Sequence, residues 1–293
     1  IIILEKKSTD RVKFLNAKPK KIIAGDFLNK ELIGRILKKN KIDVIFHLGA
    51  ITQVLDSIKN PFKTHQVNIM GTINFLENIR KINSKIIFIY SSSDKAYGEL
   101  NKRNFYVESD RLQSDYPYDV SKSASDLVCQ SYSKTYNMKI GIIRCGNIYG
   151  PGDFNYKRLI PEVILSTIKN KRFVIRSDGK STRDYIFVND AVNAYILLMK
   201  KLLNSKQNLR IYNVSSKFNH SVKEIVSMIL KYMNSLHLKP IIKNFSKKEI
   251  NFQRLNFSKI EKDLGWKPKI KIKDGIIETI KWYKQFQKYL IIK

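Results

Sequence analysis

Cysteine, acidic charge and long apolar runs are what this 293-residue sequence has least of. Its two cysteines, Cys129 and Cys145, lack the spacing of a metal knuckle or a redox pair, which excludes a disulfide scaffold. Both sit in apolar stretches, so buried, reduced thiols are expected. The four histidines, His47, His65, His220 and His237, form no local ligand pair, and no metal site is expected. No run reaches the ~18 apolar residues of a membrane span. No secretory leader pattern precedes the first strand-like run. No membrane partner is expected, and the chain reads as cytoplasmic.

Acids are outnumbered. Lys+Arg total 55 against 25 Asp+Glu, a formal net charge of +30. A field of that size invites a polyanion, whether nucleic acid, anionic lipid or a phosphorylated small molecule. A second reading competes with it: only 12 of the 55 cations are arginine, and lysine, isoleucine and asparagine are what AT-rich coding over-produces. The lysines are scattered, with no basic tail and no RNA-binding aromatic motif, so drift is preferred and no nucleic-acid partner is expected.

What is present is ordinary for a globular chain: 43% hydrophobic and 27% charged residues, enough for one large domain or two modest ones. Short apolar runs predict strands at 1–4, 22–24, 44–48, 86–90 and 140–144. Three- and four-residue spacing predicts helices at 29–40, 62–82 and 118–136. Near-continuous apolar strands suit a parallel sheet covered on both faces, so strand–helix repetition predicts a doubly wound, Rossmann-like α/β fold. After Gly150 the rhythm breaks into a loop (153–158), helices at 159–169, 188–203, 221–234 and 279–289, and strands at 173–175 and 208–214.

Tyr118 and Lys122 stand four apart at the start of a helical pattern and so share one face. A neighbouring ammonium favours the phenolate, which can then act as a base. Taken alone, such a pair is also what a helix surface offers by chance. Twenty-five residues earlier, Ser91-Ser92-Ser93-Asp94-Lys95-Ala96-Tyr97-Gly98 follows a strand, at the carboxyl end where open α/β sheets bind ligands. A polar turn is the alternative there.

Together with His47-Leu48-Gly49-Ala50, Asn68-Ile69-Met70-Gly71-Thr72, the Arg144–Gly152 run, Arg183-Asp184-Tyr185 and Leu264-Gly265-Trp266-Lys267-Pro268, this set resembles the extended short-chain dehydrogenase/reductase family over nearly the whole chain. The acid–base pair Asp94-Lys95, with Tyr116–Ser123 and Gly150–Asn155, is most similar to CDP-glucose 4,6-dehydratases. The 183–188 segment departs towards the general family pattern. The resemblance implies an NAD-dependent hydro-lyase acting on a nucleotide-diphosphate sugar; a 4-epimerase or a non-catalytic binding protein is the rival.

It assigns Tyr118 as base at the sugar 4-hydroxyl, Lys122 as its partner, Ser93 as hydrogen-bond donor and Asn68 as a support. Lys95 would remove the C5 proton and Asp94 would protonate the leaving 6-hydroxyl; a turn-stabilising ion pair is the alternative for these two. For NAD it points to Glu5, Asp26, Phe27, His47, Leu48, Gly49 and Ala50 beside Tyr118 and Lys122. Glu5 would accept from the adenosine ribose, although Lys6 and Lys7 weaken the preference for NAD over NADP. For the sugar nucleotide it points to Ser57, Asn147, Arg158, Arg183 and Arg254. His47 itself reads as a packing residue at a strand end.

Residues 1–150, with a return at 184–215, are expected to form the NAD-binding domain, and 151–183 with 216–293 the sugar-nucleotide domain. A homodimer is expected, pairing helices 62–82 and 118–136 across a two-fold axis. The family's Gly-rich strand–turn–helix would lie upstream of Glu5, and the first glycine here is Gly25. Without that unit, weak NAD binding and poor folding are expected.

Overall fold

The computed structural model describes residues 1–6, 14, 18–99, 105–244 and 253–290. Its strands are β1 (Ile2–Glu5), β2 (Lys21–Ala24), β3 (Val44–His47), β4 (Ile87–Ser91), β5 (Ile140–Cys145) and β6 (Asn147–Tyr149). The shorter and later ones are β7 (Val174–Ile175), β8 (Thr182–Phe187), β9 (Leu209–Val214), β10 (Asn219–Ser221) and β11 (Ile241–Ile242). Helices α1 (Lys30–Lys39), α2 (Val54–Lys59), α3 (Pro61–His65), α4 (Gly71–Ile82), α5 (Pro117–Tyr136) and α6 (Leu159–Ile168) come first. They are followed by α7 (Val188–Leu203), α8 (Val222–Tyr232), α9 (Ser258–Leu264), α10 (Ile272–Gln285) and α11 (Gln287–Leu290).

Two compact units divide the chain: residues 1–96, 113–143 and 198–211 form the first, and 97–112, 144–197 and 212–293 the second. The first unit holds the parallel pair β1–β2 and the sheet ordered β3-β4-β5-β9, whose last two strands run on into the second unit. Phe88, Ile89, Ile140, Ile142 and Ile143 are fully buried, because helices cover both faces of a parallel sheet. Each contributes about 1.5–3 kcal/mol by leaving water. Gly141 is needed in β5, since a Cβ there would stand 2.8 Å from Leu198 of α7.

The second unit contains the sheet β10-β8-β6, the pair β11–β7, and a core built from Tyr149, Ile164, Phe187, Ile229, Ile276 and Tyr283. Ser221 and Glu224 close a capping box on α8. The division differs from the expected boundaries. Residues 97–112, 144–150 and 184–197 go with the second unit, because β8 pairs with β6 and β10 rather than with the larger sheet.

Three elements also differ from expectation. The predicted helix 62–82 is α3 and α4 joined by a π-helical turn, Gln66–Met70. The predicted terminal helix 279–289 begins seven residues earlier, where Gly275 and Ile276 are already buried, and breaks at Phe286. Helices α2 and α9 and strands β6, β10 and β11 are too short for periodicity to reveal, and the six-residue β8 is broken as an apolar run by Arg183 and Asp184.

Candidate active site

The chain leaves β4 at Ser91 and turns through Ser92 and Ser93 into a 3₁₀ turn, Asp94–Tyr97. Ser93 and Asp94 are buried, and Lys95 is half-buried. The Ser93 hydroxyl donates to Asp94 Oδ1 at 3.0 Å, and the Lys95 amide donates back to Ser93 Oγ at 3.2 Å. Pro117 opens α5, its fixed φ suiting the first helical position. One turn in, Tyr118 and Lys122 are both buried.

Lys122 joins the two elements. Its Nζ donates to the Ser91 carbonyl at 2.6 Å and lies 5.1 Å from the centre of the Tyr90 ring. Burial pulls this ammonium down to about 8, while Cys129 and Asp126 oppose the fall. The structure thus gathers Ser93, Asp94, Lys95, Tyr118 and Lys122 within the first unit.

Asn68 lies in the π-helical turn and is buried. Its side chain accepts from the Ile51 amide at 2.8 Å and donates to the Ile51 carbonyl at 3.0 Å and to Ser121 Oγ at 2.8 Å. The Asn68 carbonyl accepts from the hydroxyls of Thr72 (2.7 Å) and Ser125 (3.0 Å). The main chain after β3 is therefore tied to the helix that carries Tyr118.

Among the residues assigned to NAD, Glu5 closes β1 half-buried, and its carbonyl accepts from Gly25. Asp26 accepts from the Leu28 amide and pairs with Lys6 at 2.8 Å, and these bonds hold its carboxyl below the usual range against partial desolvation. Lys7 lies outside the described residues. Phe27 turns inward, edge-on to His47, and a Cβ on Gly49 would stand 2.7 Å from its ring. Leu48 and Gly49 are exposed and Ala50 half-exposed, an open main chain at the carboxyl end of a parallel strand.

Of the residues assigned to the sugar nucleotide, Ser57 is in the first unit and fully buried, its hydroxyl donating to Val54 of its own helix at 2.6 Å. The other four share the second unit. Asn147 is exposed at the start of β6, and Arg158 precedes α6 with its guanidinium 3.4 Å from Asp153. Arg183 is buried in β8 and donates to the Thr182 carbonyl; Arg254 is exposed and donates to the Lys217 carbonyl.

Sequence reasoning missed Ser92, Ser121, Ser125 and Asp126, all buried around the Tyr118–Lys122 face. Asp126 continues the four-residue spacing 118–122–126, and that spacing was the available signal. Among the described residues no group of three or more His, Cys, Asp or Glu could hold a metal ion, and no helix is long and apolar enough to cross a membrane.

A twisted parallel sheet with a Tyr-x-x-x-Lys helix beside a Ser-Asp-Lys turn is the arrangement of an extended short-chain dehydrogenase/reductase. The family model described as GDP-mannose 4,6 dehydratase matches residues 2–279, and the chain belongs to that family. The dTDP-D-glucose 4,6-dehydratase of Dictyostelium discoideum is 29% identical over 92% of this chain and 70% of that protein. Its human namesake is 30% identical over 90% of this chain and 75% of that protein. A dTDP-glucose 4,6-dehydratase from Streptomyces venezuelae, solved with NAD, shares the fold at a TM-score of 0.89 and 24% identity, covering 98% of this chain and 88% of that one.

Proposed function

We propose that the protein is an NAD-dependent nucleotide-sugar 4,6-dehydratase that converts an NDP-hexose to its 4-keto-6-deoxy product. The observation that carries this reading is the turn of buried Ser93 and Asp94 and half-buried Lys95, held to the Tyr118–Lys122 helix by the Lys122–Ser91 bond. An epimerase needs one base at C4; a dehydratase also needs an acid and a base at C5 and C6, and a carboxyl and an amine are adjacent here.

The chain's own residues account for the proton transfers. Tyr118, as phenolate beside the Lys122 ammonium, takes the proton of the 4-hydroxyl, and Ser93 holds that oxygen by a hydrogen bond. NAD held by the first unit would supply the two-electron redox chemistry that the conversion needs at C4 and at C6. The 4-keto group acidifies C5, whose proton Lys95 accepts as a neutral amine. Asp94, protonated, gives its proton to the 6-hydroxyl as the C6–O bond breaks, one water leaves, and the Lys95 ammonium returns its proton to C5 when C6 is reduced. The open main chain 48–50, fixed at its far end by Asn68, and the Glu5 carboxylate fit a dinucleotide.

CDP-glucose is the expected substrate on the Asp94-Lys95 pair, and dTDP-glucose is the rival that the relatives' names favour. Asn147, Arg158, Arg183 and Arg254 supply the donors for a nucleotide diphosphate, for which arginine forks are well matched. We further propose a homodimer acting in the cytoplasm, the latter supported by two buried cysteines that are not joined in a disulfide.

The test is turnover by the protein expressed from its whole reading frame, with NAD and a panel of CDP-, dTDP- and UDP-glucose and GDP-mannose. A 4-keto-6-deoxy product, absorbing in alkali, is expected from one of them. Recovery of a C4 epimer, or no turnover with any, would overturn the reading.

A further inference from the structure

One carboxylate in the first unit has no part in the proton transfers yet is wholly out of water. Asp126 is 0% exposed, one helical turn beyond Lys122 on the same face of α5. Ser92 Oγ donates to its Oδ2 at 2.7 Å, and Gln130 Nε2 donates to its Oδ1 at 2.7 Å. A buried carboxylate is costly unless it is bonded and faces opposite charge, and both conditions meet here.

Its partner is the informative part. Ser92 stands between Ser91, whose carbonyl takes the Lys122 ammonium, and Ser93, whose hydroxyl meets Asp94. Its own amide donates to Ile143 of β5 at 2.8 Å. The turn is thus pinned to one face of α5 at two successive residues, through Lys122 at one and Asp126 at the next.

We propose that Asp126 is a positioning residue of the active site. Its buried carboxylate, bonded to Ser92, fixes the Ser93–Lys95 turn against the Tyr118–Lys122 helix and stands one helical turn from the Lys122 ammonium on the same face. This rests on the dehydratase reading for the roles of Tyr118 and Lys122.

The charges around Lys122 define what the carboxylate must offset. Asp126 and Cys129 act on it from α5, Tyr90 and the Ser91 carbonyl from β4, and neutral His47 from β3; Tyr118 stands one turn before it on α5. Burial lowers Lys122, and Cys129 and Asp126 are the groups that raise it. Cys129 is itself pushed well up by burial, so of the two groups that act upward on Lys122 the carboxylate is the one also bonded to the turn, through Ser92. Removing that charge lowers the Lys122 pKa, so the ammonium is lost at a lower pH.

The experiment compares Asp126→Asn and Ser92→Ala with the parent and with Tyr118→Phe. Lys122 is followed by NMR of its labelled ε-amine, which needs no turnover. The parent Lys122 is expected to titrate near pH 8, and Asp126→Asn to lower that point by about one unit or more, the size of shift a nearby opposite charge produces. The alkaline limb of the pH–rate profile should move down with it. For both variants kcat should fall on the order of 10²-fold with KM for the sugar nucleotide nearly unchanged, as for misplacement of a reacting group.

A folded Asp126→Asn with an unmoved Lys122 titration overturns the proposal. If that variant does not fold, Ser92→Ala decides through kcat, and an unchanged value overturns it. Loss of turnover in Tyr118→Phe beside an unaffected Asp126→Asn would sink this inference alone. A parent without turnover would sink the dehydratase reading, and the titration would still judge Asp126.

Discussion

His47 shows how a single side chain couples the site to acid stability. It is buried at the end of β3 among the rings of Phe27, Phe75, Phe88 and Tyr90, with centroids 5.0–6.1 Å away. Its Nε2 has no hydrogen-bond partner among the described residues. Burial, aided by the Lys122 charge, lowers it to about 3 from its ordinary 6.5. The folded protein therefore keeps the imidazole neutral where the unfolded chain would protonate it. The stability His47 contributes is full above pH 6.5 and is lost as pH falls towards 3, about 2 kcal/mol of it between pH 7 and pH 5. His47→Phe is expected to flatten the fall of Tm over that interval, measured against the parent by calorimetry; an equal slope would show that His47 does not set it.

The reacting pair Asp94 and Lys95 allows a sharper separation of roles. Solvent deuterium enters at C5 only if a base removes that proton, whereas product needs the acid as well. Lys95→Met is expected to abolish both exchange and product. Asp94→Asn should keep exchange while product formation falls on the order of 10²–10⁴-fold, the usual worth of a general acid. Deuterium wash-in followed by mass spectrometry reads both. Exchange that survives in Lys95→Met would place the C5 base elsewhere.

Between β3 and α5, the π-helical turn sets the geometry one scale up. Within it the Asn68 carbonyl accepts from Thr72 and Ser125, and the Asn68 side-chain amide meets both polar groups of Ile51. Asn68→Ala leaves those two backbone groups without their partner, at a cost of about 1–3 kcal/mol. Because residues 48–50 hang from that anchor, KM for NAD should rise along with the drop in Tm. A lower Tm with unchanged KM would confine Asn68 to a structural part.

That turn also marks where the sequence stops being legible. The parallel strands β4 and β5 could be read because burial on both faces leaves an unbroken apolar run. Helix α7 could be read because its buried positions 191, 194, 195, 198 and 202 keep three- and four-residue spacing, although Val192 and Ile196 are exposed. One inserted residue at 66–70 does not disturb the spacing of apolar positions on either side, so 62–82 reads as one helix. The Tyr118–Lys122 spacing was visible as a motif. The partners of Ser92 and Asn68 were not, because they lie 34 and 53 residues away on α5. The domain boundary failed for a related reason: whether β8 joins the large sheet or pairs with β6 and β10 is a long-range choice that no local pattern records.

For the molecule as a whole, the exposed apolar side chains of the first unit and the charge of +30 act against each other. Phe62 is exposed on α3, and Leu127 and Tyr136 on α5, within the segments expected to pair in a dimer, and Leu55 and Ile58 are exposed on α2. Bringing two such chains together gains apolar burial and pays repulsion between like charges. Salt screens the repulsion, since the Debye length is only about 10 Å at 0.1 M. Self-association should therefore tighten as salt rises, whereas retention on heparin, driven by counterion release, should weaken. Sedimentation equilibrium across a salt series is expected to show a dimer that strengthens with ionic strength, and Phe62→Asp a monomer. A parent that stays monomeric throughout would remove the dimer. Heparin retention that survives high salt would reopen the reading of the lysines as a built polyanion site rather than scattered background.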